Sequence, residues 1–136
     1  MRILFILAIL SFTATATAQE RDPLMEIKVL LNAENFASAL PHIERAVAEG
    51  NAEAQYLYGD LYFYGDAVSQ DYGQAKYWYT QAANMDHLAA AERLGDLYLS
   101  GDAWEKDITQ AKHFYQIAAT LGSARARQKL TEINAD

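Results

Sequence analysis

Residues 54–89, AQYLYGDLYFYGDAVSQDYGQAKYWYTQAANMDHLA, are followed without a gap by AAERLGDLYLSGDAWEKDITQAKHFYQIAATLGSAR at 90–125. With Ala54 laid on Ala90, 15 of 36 positions are identical, among them Gly59, Asp60, Leu61, Tyr62, Gly65, Asp66, Asp71, Ala75, Tyr79 and Ala82. Most of the differing apolar positions exchange like for like, as in Trp78 against Phe114, Tyr58 against Leu94 and Met85 against Leu121. Self-similarity at a fixed period in this range marks a stacked array, in which no unit buries its apolar face alone. The spacing therefore predicts an all-α solenoid, a binding scaffold whose ligand the repeat does not reveal.

Each unit reads as two antiparallel helices. In its second half Ala75, Trp78, Tyr79, Ala82 and Ala83 fall at i, i+3, i+4, i+7 and i+8, and Ala111, Phe114, Tyr115, Ala118 and Ala119 copy them. That is one stripe of a 3.6-residue period. Asp71 with Gln74, and Asp107 with Gln110, stand where an N-cap acceptor and a capping-box partner belong. In the first half the inward stripe is Ala54, Tyr58, Leu61 and Tyr62, matched by Ala90, Leu94, Leu97 and Tyr98, and Gly65 and Gly101 end the helix. Gly59 and Gly95 each forgo about 1 kcal/mol of helix propensity relative to alanine. Their recurrence at the repeat spacing implies that a helix or an aromatic ring approaches the backbone there.

The pattern A-x-x-x-[LY]-G-D-L-Y-x-x-G-D-A, then D-x-x-x-A-K-x-[WF]-Y-x-x-A-A, resembles the Sel-one-like repeat, a tetratricopeptide-like unit of about 36 residues. The resemblance covers 54–125 without insertion. It implies a right-handed superhelix of helix pairs that binds other proteins, commonly in secreted or envelope roles. Two features depart from the family pattern. Its usual Gly-x-Gly between the helices is here Gly65-Asp66-Ala67 and Gly101-Asp102-Ala103, and the array is short. Cysteine-rich secreted members have been linked to β-lactams, and this chain has no cysteine.

Upstream, Met1-Arg2, the apolar run Ile3 to Phe12 and the A-x-A site Ala16-Thr17-Ala18 read as a secretory signal peptide cleaved before Gln19. An apolar core of about ten residues falls well short of the roughly 20 that a spanning helix needs. The expected location is periplasmic or secreted, with no stable membrane insertion after cleavage. The remainder, 19–136, reads as a single domain. Shifted by 36, Ala39, His42, Ile43, Ala46 and Val47 land on the second-helix stripe, so a degenerate unit occupies about 22–53. Its first helix is expected at about Leu24 to Leu31, and Pro41 is expected near the first turn of the next helix, as a possible kink. Gly50-Asn51 closes that helix. Beyond Gly122, Ala126, Leu130 and Ile133 continue a first-helix stripe to about residue 134, a terminal cap with Arg125, Arg127, Gln128 and Lys129 facing elsewhere.

The formal charge is −7, and −8 once Arg2 is removed with the leader, which argues against nucleic acid and anionic lipid as partners. Without cysteine there is no disulfide or thiolate chemistry. His42, His87 and His113 have no ligand-spaced companions, Asp60/Asp96 and Asp66/Asp102 are one position repeated, and no G-x-S-x-G or S-x-x-K motif occurs. Neither a catalytic set nor a cofactor or metal site is expected. Two function classes remain: a protein-interaction scaffold, and, by family analogy alone, an envelope enzyme acting on cell-wall or β-lactam material. For the scaffold, subtracting the inward stripe leaves Glu53, Tyr56, Asp60 and Phe63 on one first helix and Ala89, Glu92, Asp96 and Leu99 on the next. These are expected to form one concave groove, acidic with aromatic patches, that suits a basic peptide carrying an apolar anchor. The basic cap around Arg125 and Arg127 is the alternative docking site.

Overall fold

The computed structural model describes residues 22–135; the expected leader at 1–18 lies outside the described residues. Among the described residues seven helices follow one another: α1 (Pro23–Asn32), α2 (Phe36–Ala48), α3 (Ala52–Tyr64), α4 (Tyr72–Asn84), α5 (Leu88–Ser100), α6 (Ile108–Thr120) and α7 (Ala124–Ala135). Each packs on its chain neighbours, most extensively α3 on α4 and α5 on α6. The architecture is an α-solenoid of helix pairs closed by a single last helix.

The helix starts follow from side-chain chemistry. Asp71 Oδ1 and Asp107 Oδ1 each accept the amide three residues on, from Gln74 and Gln110, at 3.0 Å. The expected reciprocal bond from the glutamine side chain is not what satisfies the cap. The amides of Asp71 and Asp107 instead donate to the carbonyls of Tyr62 and Tyr98 at 2.9 Å, tying each connecting loop back to the preceding helix. The first helices are capped by Asn51, His87 and Ser123, one repeat position filled three ways, whose side chains accept from Ala54, Ala90 and Ala126. Gly65 and Gly101 end α3 and α5 at φ +77° and +76°, a left-handed conformation that a side chain resists. Pro41 falls in the second turn of α2, later than expected, and the helix runs on to Ala48. Both Ala37, whose carbonyl lacks the usual amide partner, and Pro41 are exposed.

The core explains the two helical glycines. A Cβ at Gly59 would lie 2.6 Å from the Tyr79 ring, and one at Gly95 2.6 Å from the Tyr115 ring. Both tyrosines are fully buried, surrounded by alanines at 75, 82, 83, 90, 91, 111 and 118 that let the helices close in. Burying each ring stabilises by about 2 kcal/mol, and the missing glycine side chains make the room. In the degenerate unit Ile43 stands at the tyrosine position and shares a fully buried cluster with Ile27 of α1, two mid-sized groups in place of one large and one absent. Trp78, which the stripe placed inward, is only half-buried, whereas Phe114 at the same repeat position is buried. The apolar stripe of the last helix is as read: Ala126 of α7 is buried, and Leu130 and Ile133 pack on the last core cluster.

Candidate functional site on the first-helix face

Residues Glu53, Tyr56, Asp60 and Phe63 lie along α3, and Ala89, Glu92, Asp96 and Leu99 along α5, at spacings that keep each set on one side of its helix. The structure places Tyr56, Ala89, Glu92 and Asp96 around one shallow cleft of about 180 Å³ together with Arg93 and Arg125. Glu53, Asp60, Phe63 and Leu99 lie outside its lining.

The carboxylates of this face are already engaged. Asp60 and Asp96 accept the buried hydroxyls of Tyr79 and Tyr115, each at 2.6 Å. Asp60 also lies 3.6 Å from Arg93, and Arg125 clamps both oxygens of Asp96 at 2.8 Å. Burial pushes the Asp60 carboxyl above its usual range, against the opposing pull of the Tyr79 hydrogen bond and the Arg93 charge. Burial likewise raises the Tyr79 and Tyr115 phenols. Glu92 accepts from Ser123 Oγ and lies 3.8 Å from Arg125. Glu53 is held by His87 at 2.7 Å and Lys28 at 3.3 Å, and the His87 hydrogen bond keeps its carboxyl below the ordinary value. Because His87 Nδ1 accepts the Ala90 amide, its proton sits on Nε2, which donates to Glu53. Four carboxylates thus meet Lys28, Arg93 and Arg125, and the face is close to neutral rather than an open acidic groove.

What it does expose is aromatic. Phe63 packs against Tyr64 and Tyr72 with ring centroids 5.0 and 5.2 Å away, and the Arg93 guanidinium lies over Phe63 at 5.8 Å and Tyr64 at 6.0 Å. Arg93 also donates to the Tyr64 hydroxyl at 3.3 Å. Tyr64 is 54% exposed and Tyr72 37%. Tyr56 stacks on His87 at 4.9 Å. One repeat later Leu99, Ser100 and Ile108 hold the places of Phe63, Tyr64 and Tyr72, so this patch is particular to one unit and is not a product of the period.

The basic residues of the cap behave differently from the sequence reading. Arg125 turns inward to Asp96 rather than facing elsewhere, because α7 sits beside α5 as a further first helix would. Arg127 donates to the Ala119 carbonyl at the end of α6, and Lys129 pairs with Glu132 at 2.9 Å. The pairing of Arg93 with Asp60 and of Arg125 with Asp96, and the capping role of His87, escaped the sequence reading. The signal for His87 was present, since Asn51, His87 and Ser123 recur at the period. The arginines gave none, because Asp60 meets a cation 33 residues on and Asp96 one 29 residues on. Among the described residues no cluster of three histidine, aspartate or glutamate side chains is disposed to hold a metal, and no helix is long and apolar enough to cross a membrane.

A fission-yeast protein, chitin synthase regulatory factor 4 of Schizosaccharomyces pombe, is 45% identical over 56 residues, which is 41% of this chain and 8% of that protein. The crystal structure of a Sel1 repeat protein from Oxalobacter formigenes superposes with a TM-score of 0.71 at 30% identity, over 80% of this chain and 43% of the other. That of c5321, a protective antigen of uropathogenic Escherichia coli displaying an SLR fold, gives 0.68 at 25% identity, over 79% and 25%. The chain thus spans less than half the length of each of these relatives. The Sel1 repeat itself matches at residues 52–87 and 88–123, two residues ahead of the frame read above. With more than half of its 136 residues matched, the chain belongs to the Sel1 repeat family, whose arrays are in general protein-interaction scaffolds.

Proposed function

We propose that this protein is an exported interaction scaffold that captures a segment of another protein on the face formed by α3 and α5. The observation that carries the reading is the exposed pair Tyr64 and Tyr72, packed with the half-buried Phe63 and Arg93; the three aromatics have no counterpart in the following unit. Tyrosine and arginine are the side chains that dominate binding energy at protein interfaces, since they bring large area and oriented donors at low entropic cost. The partner segment is a peptide with an apolar anchor that seats against Phe63 and Tyr64. Basic residues in it are favoured by the chain's formal charge of −7, which acts on encounter rate, because the carboxylates of the face itself are paired. No observation on this face favours turnover of cell-wall or β-lactam material.

The test uses exposed residues only. Charge reversal at Asp60 or Asp96 would strip the Tyr79 and Tyr115 hydroxyls of their acceptors and confound binding with folding. Tyr64→Ala with Tyr72→Ala, in a protein that still melts cooperatively, is expected to abolish partner capture from envelope extract. Undiminished capture moves the site off this face. Export is tested separately by intact mass, where a mature form beginning at Gln19 is expected and one retaining residues 1–18 refutes it.

A further inference from the structure

A second surface carries chemistry that neither the repeat nor the first-helix face accounts for. Where α4, α5 and the α5–α6 loop meet, a cavity of about 560 Å³ is lined by Lys76, Tyr98, Trp104, Glu105, Lys106, Asp107 and Gln110. Lys76 Nζ is held over the aromatic wall, 5.1 Å from the Trp104 ring centroid and 5.7 Å from that of Tyr98, and Trp104 meets Tyr98 edge-on at 5.4 Å. Trp104 Nε1–H is buried without an acceptor, so hydrogen bonding at this wall is incomplete in the free protein.

Comparison with the junction one period earlier separates scaffold from specialisation. Tyr98, Asp107 and Gln110 correspond to Tyr62, Asp71 and Gln74 and are unchanged. Lys76, Trp104, Glu105 and Lys106 replace Leu40, Val68, Ser69 and Gln70, so neither the cations nor the indole is present at the earlier junction. Among the described residues Lys28, Arg93, Arg125 and Lys129 have a carboxylate partner, whereas Arg45, Lys76, Lys106, Lys112 and Arg127 have none, and of these Lys76 and Lys106 line this cavity together. Of the two acids in the lining, Asp107 is committed to the α6 cap, which leaves Glu105 against two lysines.

We infer that this cavity is a docking site for an acidic peptide segment of a partner protein, with its carboxylates on Lys76 and Lys106 and its aliphatic stems against Trp104. The volume suits several residues of peptide rather than one small anion, and the aromatic wall offers contact area that an inorganic anion does not use. The site is independent of the first-helix face, so the scaffold would carry two partners or two segments of one.

The experiment is done on the Trp78→Phe variant, which leaves Trp104 as the sole tryptophan and copies Phe114 at that position. The probes are the capped peptide acetyl-Glu-Leu-Glu-amide, its glutamine counterpart acetyl-Gln-Leu-Gln-amide, and inorganic phosphate, each followed by the Trp104 indole N–H resonance and fluorescence. Saturable shifts with the glutamate peptide and none with the glutamine peptide are expected. Lys106→Gln, at an exposed position, is expected to weaken the glutamate peptide about tenfold, one charge-assisted contact's worth. Lys76→Gln is expected to do the same while the melting temperature stays within a few degrees. Equal response to both peptides, indifference to both lysine changes, or no saturable shift overturns the proposal. Phosphate binding as tightly as the glutamate peptide overturns the peptide assignment in favour of a small-anion site.

Discussion

Replacing a glycine by alanine inside a helix ordinarily stabilises it by about 1 kcal/mol. At Gly95 the sign is expected to reverse. An added Cβ would stand 2.6 and 2.7 Å from two ring atoms of Tyr115 and 3.0 Å from a third, where ordinary contact begins at 3.4 Å, so the ring must retreat by about 0.8 Å. It has nowhere to go. Tyr115 is fully buried and its hydroxyl is pinned to Asp96 at 2.6 Å, so any retreat strains that bond or the alanine-rich packing behind the ring. Overpacking of this kind costs about 1–3 kcal/mol. Set against the propensity gain, Gly95→Ala is expected to lose up to about 2 kcal/mol, a fall of several degrees in melting temperature for a domain of this size. Urea unfolding measures the change, and Gly73→Ala is the control. Gly73 is exposed in α4, and the only atom near its added Cβ is a carboxylate oxygen of Asp71, so the same substitution there should not destabilise. A double-mutant cycle isolates the cause. Tyr115→Ile, which copies Ile43 of the degenerate unit, should cost about 2–4 kcal/mol alone yet relieve the clash. The double variant is therefore expected to be more stable than the sum of the singles by at least about 1 kcal/mol. A stabilising Gly95→Ala, or an additive cycle, would refute the account of the glycine as space for the tyrosine.

Four further outcomes are expected. Ala67 occupies the second position of the family's Gly-x-Gly at φ +60°, whereas Ala103 does not adopt a positive φ, so Ala67→Gly should stabilise by up to about 1 kcal/mol and Ala103→Gly should not, as read by thermal melts. Trp78 Nε1–H is buried without an acceptor, so Trp78→Phe should fall within about 0.5 kcal/mol of wild type, whereas Trp78→Ala, which empties the contact with Tyr58, should cost about 3 kcal/mol in urea titrations. Because the Glu53 carboxyl lies below its ordinary 4.5 in the folded chain, its charge stabilises the fold above that pH and the contribution fades as pH falls through the folded value. Glu53→Gln should therefore cost less than about 1 kcal/mol at pH 7, and the gap from wild type should narrow as the pH falls below 4.5 in a series of melts. Asp107→Ala, which removes the α6 cap, should cost about 1 kcal/mol, less than the overpacking by Gly95→Leu.

The period of 36 residues was enough to derive the α-solenoid, the helix-pair unit, its glycine ends, its aspartate caps and the closing helix, because each rests on local chemistry that recurs in register. A cap needs only a side chain and an amide three residues away. A stripe needs only 3.6-residue spacing. Even the helical glycines announced that something large lay against them, though not that it was the tyrosine 20 residues on. What the period concealed is whatever joins one unit to the next. Asp60 and Asp96 are the same position, yet one meets Arg93 and the other Arg125, cations drawn from different repeat positions that only the stacking of α3, α5 and α7 brings alongside. For that reason a stripe that reads as an acidic groove in one dimension is a nearly neutral, interlocked face in three. The formal charge of the chain was legible from its residues. Which of those charges remain free to meet a partner was decided by the tertiary structure, since pairing depends on distance across helices and not on order along the chain.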